Sequence, residues 1–215
     1  MPTTALKLFR ETFPEVMRFF TLNAMRRELS GCRSVLDLGC GGLSPTSLLR
    51  IEQSTAVDGF APLLEAALKN HTHTEYHCAD VRTIDTIFQP KQFDCCVALD
   101  LIEHLSTEDG LALIRSMGKL ARRKIVVFTP NGFLHQASHE GDLQEHLSGW
   151  TAPQMQSLGF KVYGMLGHRG LRGEEHRHRI RPRALSGVAA LLTHLAWTSR
   201  HPDVAAALLC VKELS

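Results

Sequence analysis

Asp37 stands two residues ahead of a glycine-rich turn, Gly39-Cys40-Gly41-Gly42, and this is the stretch of the chain best equipped for ligand chemistry. Glycine has no Cβ, so such a turn can take unusual torsions and lie close against a ligand. Further acids follow at Asp58, Asp80 and Asp100. Asp58, with Gly59 after it, lies about twenty residues past the turn, the position from which a carboxylate can accept hydrogen bonds from both hydroxyls of a ribose. A nucleotide-like cofactor is therefore expected, and the charge beside the turn indicates which kind. A dinucleotide fingerprint needs a glycine where this chain has Ser44, and a pyrophosphate would be repelled by Asp37. S-adenosylmethionine (SAM) instead offers an ammonium and a sulfonium, both of which a nearby carboxylate favours.

These residues need a scaffold that brings them to one edge. Short apolar runs alternate with helical patterns from residue 34 onward, the signature of a parallel sheet wound with helices. Strands are expected at 34–38, 54–57, 75–78, 93–99, 124–129, 160–166 and 206–212. In an open α/β sheet, ligands bind beyond the carboxyl ends of the strands. On that rule Asp58, Asp80, Asp100 and Asn131 follow the second to fifth strands and meet the glycine turn. Pro45 opens a helix after that turn, and Thr107–Leu120 reads as a long one. Residues 1–30 read as a helical preface, capped by Thr12, Pro14 and Glu15, with Phe13, Met17, Phe20 and Ala24 on one face. It is either a packing helix or a lid.

The ordered set VLDLGCGG, AVDGF, CADV and FDCCVALDLIEHL, spread over roughly Arg33–Val162, resembles the class I SAM-dependent methyltransferases, nearest to the small-molecule type 11 and type 23 domains. The resemblance implies a Rossmann-like α/β fold of seven strands, mostly parallel, with an antiparallel last strand, in a single domain spanning residues 1–215. It also implies SAM at Asp37, Gly39, Cys40, Gly41, Asp58 and Gly59. Asp80 and Val81 would meet the adenine, and Asp100 with Leu101 would wall the methyl end. Glu103-His104 resembles a pair frequent in this group, so His104 is a candidate general base, since an unperturbed imidazole titrates near neutrality. His146 is a second candidate, with Trp150 as another acceptor-recognising residue.

Composition excludes several alternatives. The 215 residues carry a formal net charge of +2 and 44% hydrophobic residues, which fits neither a polybasic nucleic-acid binder nor a disordered chain. Six cysteines form no CxxC pair and read as reduced, in keeping with a cytoplasmic protein. His135, His139 and His146, with Glu140, Asp142 and Glu145, show no recognised metal-ligand spacing, and no metal is expected. The family's short hairpin before the last strand is replaced by an insert at about 167–203. It opens with the arginine-rich run His168–Arg183 and continues into an amphipathic helix bearing Leu185, Val188, Leu192 and Leu195. The insert is readable as a solvated loop, a lid for an anionic small-molecule acceptor, or a peripheral contact with a membrane or RNA; nucleic acid is disfavoured by LDLIEHL standing where amino-directed enzymes carry a Pro-Pro-aromatic signature. A non-catalytic SAM-binding module and an NAD-dependent oxidoreductase are the competing functions.

Overall fold

Val35, Leu36 and Leu38 are fully buried, as a strand covered on both faces requires. They lie in β1 (Ser34–Leu38), an interior strand of a seven-stranded sheet. The computed structural model describes residues 19–136, 143–171 and 183–214, with only the backbone for 183–186. The other strands are β2 (Gln53–Asp58), β3 (Glu75–Cys78), β4 (Phe93–Leu99), β5 (Ala121–Pro130), β6 (Lys161–His168) and β7 (Ala205–Glu213). Their spatial order is β3-β2-β1-β4-β5-β7-β6. The first five run parallel, and β7 is antiparallel to both neighbours. The expected α/β architecture, seven strands mostly parallel with an antiparallel last strand, is thus present, and strand ends differ by at most three residues.

Side chains of a strand alternate between faces. Leu36 and Leu38 enter one core layer with Leu113 and Met117 of the helix Thr107–Leu120, while Val35 enters the other with Met25 and Leu29. Met25 sits on the helical residues 19–28; Leu29 follows in the turn. Phe20 lies edge-on to His194 at 5.3 Å between ring centroids, and Ala24 packs on the second layer, so the described part of the preface is a packing helix. Its capping residues Thr12–Glu15 lie outside the described residues.

The helix expected after the glycine turn is a 3-10 helix, Pro45–Leu49: Ser44 and Thr46 turn inward to Asp37, and Arg50 ends the segment at φ 52°. Two expectations are corrected. Cys32 and Cys95 are disulfide-bonded, because the loop before β1 lies against the start of β4; neither CxxC spacing nor local sequence could reveal this long-range pairing. The helix at Arg183–Thr193, continued by a π-helical turn at His194–Thr198, buries Ala190, His194 and Thr198 and leaves Val188, Leu192 and Leu195 exposed. The reason is close approach: Gly167 of β6 meets the backbone of Ala190, which only a small residue allows. Leu185 and most of the arginine-rich run lie outside the described side chains.

Asp94 ties the strand starts together. Its Oδ2 accepts from the amides of Arg33 and Ser34 at 2.8 and 3.2 Å, and its Oδ1 from Arg122 Nε at 3.1 Å. Burial alone would raise its carboxyl, yet these donors outweigh burial and hold it below the usual range. A depressed folded value adds stability that is present above the unfolded pKa of about 4 and is lost as pH falls through the folded value. Asp94→Asn is expected to cost about 1–3 kcal/mol at pH 7. The gap from the parent protein in thermal melts should close toward pH 3; a pH-independent gap would contradict this account.

Candidate functional site

The carboxyl ends of β1 to β4 border a cleft of about 390 Å³, within the ~300–1,000 Å³ usual for small-molecule sites. Its wall includes Gly39, Gly41, Asp58, Gly59, Asp80, Val81, Asp100 and Leu101. Sequence spacing therefore brought the expected acids to one place. Asp37 and Cys40, also expected there, are turned away from it.

Asp58 is the organiser of the turn. It ends β2, and its Oδ2 accepts from the Gly41 amide at 2.9 Å while its Oδ1 accepts from the Phe60 amide at 2.8 Å. Each oxygen keeps acceptor capacity for a further donor. Gly39 and Gly41 both have positive φ, 67° and 57°. A Cβ on Gly39 would lie 2.7 Å from Leu101 Cδ1, so that glycine is required by the opposite wall, whereas a Cβ on Gly41 would meet no protein atom within 4 Å. Asp80 is held below its usual carboxyl range chiefly by the side chain of Arg82, whose Nε donates to both its oxygens at 3.0 and 2.9 Å. Arg82 escaped the sequence reading; an acid and a base two residues apart on a turn was the available signal.

Asp37 is 1% exposed. Its Oδ2 accepts from the hydroxyls of Ser44 and Thr46 and lies 3.0 Å from His73 Nε2, while its Oδ1 is buried with no hydrogen-bond partner. Ser44, which replaces the third glycine of a dinucleotide fingerprint, thus has a structural task. His73 had no sequence signal, since it precedes β3 and meets Asp37 only across the sheet. Cys40 packs among Ala56, Leu64 and Ala67, where burial first, then the charges of Asp37 and Asp58, push its thiol up to about 12.

A second cavity, of about 360 Å³, adjoins the first and shares Asp100, His104 and Gln144 with it. Glu103, Phe128, Gln136, His146 and Leu166 complete its lining. Asp100 takes φ 49°, uncommon for a residue other than glycine, and its carboxylate faces the joined cavities. Glu103 is 2% exposed; burial raises its carboxyl, and the Asp100 charge raises it further. His104 and His146 meet with ring centroids 4.7 Å apart. Burial lowers the His146 pKa and favours its neutral form. Trp150 and Asn131 are not at the site. Trp150 is 2% exposed and donates to Ile102 O at 3.2 Å; Asn131 donates to the carbonyls of Pro202, Asp203 and Ala205, bracing the approach to β7. His139, Glu140 and Asp142 lie outside the described residues.

Residues 36–127 match the family described as a methyltransferase domain. No curated protein is detectably similar in sequence. Among solved structures, the methyltransferase domain of bacterial CtHen1 superposes with a TM-score of 0.57 at 20% identity, over 92% of this chain and 98% of that one. Magnesium protoporphyrin IX methyltransferase from Synechocystis PCC 6803, solved with bound SAM, gives 0.53 at 14% identity, over 99% and 86%. The [4+2]-cyclase SpnF gives 0.55 at 16% identity, over 91% and 81%. At these identities the likeness shows the fold alone: the chain folds as these methyltransferase structures do, and its residues 36–127 match a methyltransferase domain.

Proposed function

We propose that this chain is an enzyme that moves a methyl group from SAM to a small-molecule acceptor. The observation that carries the reading is the pair of joined cavities: one is built from the glycine turn and the strand-end acids, and the other is a polar chamber meeting it at Asp100 and His104. The residues fit the cofactor. The Asp58 oxygens retain room for two ribose hydroxyls, and the space in front of Gly41 is open. Bound SAM supplies a methyl activated by a sulfonium. The chain's own residues then have modest tasks: Asp58 and Asp80 bind, Leu101 walls the cleft and excludes water, and the second cavity orients the acceptor. On the acceptor side, His146 is favoured in its neutral form and is suited to take a proton.

A lipid-associated acceptor is the second reading. It is favoured by Leu192, Leu195 and Trp197, each more than half exposed on the segment before β7, near Arg200. Among the described residues, no helix is long and apolar enough to cross a membrane. One experiment addresses both readings. Calorimetry should show micromolar binding of SAM and none of NAD. Labelled SAM incubated with cell extract split into aqueous and lipid fractions should then mark a small molecule in one of them. Tight NAD binding would overturn the methyl-transfer reading, and label confined to macromolecules would overturn the small-molecule acceptor.

A further inference from the structure

Glu103, His104 and His146 each bring one ligand-capable atom into a group whose members all lie within 4.8 Å of one another. They come from separate parts of the chain: the 3-10 turn Ile102–His104 after β4, and the segment ahead of the helix Ala152–Ser157. Contacts behind them fix how they point. His146 Nδ1 lies 2.6 Å from the carbonyl oxygen of Leu134, and His104 Nδ1 lies 3.1 Å from that of Glu145. A carbonyl oxygen only accepts, so both rings hold a proton on Nδ1 and carry the lone pair on Nε2. Backbone carbonyls impose the same arrangement on histidines that ligate metals. Glu103, 2% exposed, is held in turn by Thr129, whose Oγ1 donates to Oε2 at 3.0 Å.

Charge in the chamber is one-sided. Asp100 and Glu103 both line it, and no lysine or arginine does so among the described residues. Two carboxylates and two imidazoles facing a partly enclosed space want a cation between them. We propose that Glu103, His104 and His146 hold a divalent transition-metal ion, of the zinc, manganese, cobalt or iron(II) type, in the second cavity. Two imidazoles beside a carboxylate suit these ions better than calcium or magnesium, which prefer all-oxygen sites. Three protein ligands leave positions open, as catalytic sites do, with Asp100 close by on the same lining.

The role of the ion rests on the methyl-transfer reading, whereas its binding does not. An acceptor hydroxyl bound to the ion would lose its proton to water more readily. The oxygen would then form its bond to the methyl carbon as the carbon–sulfur bond breaks, with that electron pair staying on sulfur. The two histidines would in that case act through the ion and not as bases, and the acceptor class becomes hydroxyl compounds.

Cobalt(II) alone is the probe. The untagged full chain, stripped by chelator, is expected to bind one Co²⁺ per chain with a visible ligand-field spectrum, and Zn²⁺ should displace it. His146→Ala and Glu103→Gln should each weaken binding at least 100-fold with the circular dichroism unchanged. Thr129→Val, which removes only the support behind Glu103, should weaken it by about 10–100-fold. His176→Ala/His178→Ala, in the arginine-rich run, should change nothing. Binding that is absent at millimolar Co²⁺, or that survives both His146→Ala and Glu103→Gln, overturns the site; should one of these variants unfold, the other decides. SAM affinity measured by calorimetry on the same samples keeps the two ideas apart. Metal without SAM binding would sink methyl transfer alone, and SAM without metal binding would sink the ion alone.

Discussion

Asp58→Ala should weaken SAM binding by at least 100-fold while leaving the sheet folded. Two effects add. The variant loses the acceptor for two ribose hydroxyls, each charge-assisted bond being worth about 1.5–3 kcal/mol. It also releases the amides of Gly41 and Phe60, which the carboxylate now holds at 2.9 and 2.8 Å, so the turn is no longer preset for the ligand. Even the lower value for each bond sums to about 3 kcal/mol, which corresponds to a little over 100-fold. Calorimetry with SAM measures the loss, and circular dichroism checks the fold. Asp58→Asn separates the two effects: its amide oxygen can still accept from one backbone amide, so it should fall between parent and alanine. Affinity within threefold of the parent for Asp58→Ala would remove Asp58 from the cofactor site.

Gly39→Val should abolish detectable SAM binding. A β-branched residue is a poor fit at φ 67°, where a left-handed conformation costs an ordinary residue about 1–2 kcal/mol. Its Cβ would also stand 2.7 Å from Leu101 Cδ1, so one wall of the cleft must move. The steric part is testable separately from the torsional part. Adding Leu101→Ala to Gly39→Ala removes the 2.7 Å contact with Cδ1, keeps the Leu101 Cβ at 3.2 Å and leaves the backbone strain, so binding should recover in part relative to Gly39→Ala alone. If the double variant binds no better, the close approach of the two walls is not what excludes a side chain at residue 39. If Gly39→Val folds and binds normally, the glycine turn is not the cradle.

The cofactor side of the site was legible because it is built from local rules repeated along the chain. Asp58 ends β2, Asp80 stands two residues past β3 and Asp100 one past β4, all at the same edge; order and spacing suffice to collect them. The same logic failed for Asn131, which obeys the spacing but spends its amide on three carbonyls near β7. It failed for Trp150 too, an aromatic near the site in sequence that lies in the core under Gly110. Spacing reports where the backbone goes, not which way a long side chain turns once neighbouring strands have packed.

The amphipathic segment before β7 shows a second limit. Its leucine periodicity is real, but Ala190, His194 and Thr198 form the buried face because β6 approaches too closely for leucine. Periodicity identifies two faces, and the distance to the neighbouring strand chooses between them.

By itself the sequence determined the strands, the glycine turn, and the acids at the strand ends, since all of these follow from hydrophobic runs and short-range spacing. Only the tertiary structure decided that Asp37 points inward to Ser44, Thr46 and His73, that Cys32 reaches Cys95, and that Glu103, His104 and His146 converge. Each of these meetings joins residues or segments far apart along the chain, and such encounters are set by how helices and loops pack on the sheet, which no local pattern encodes.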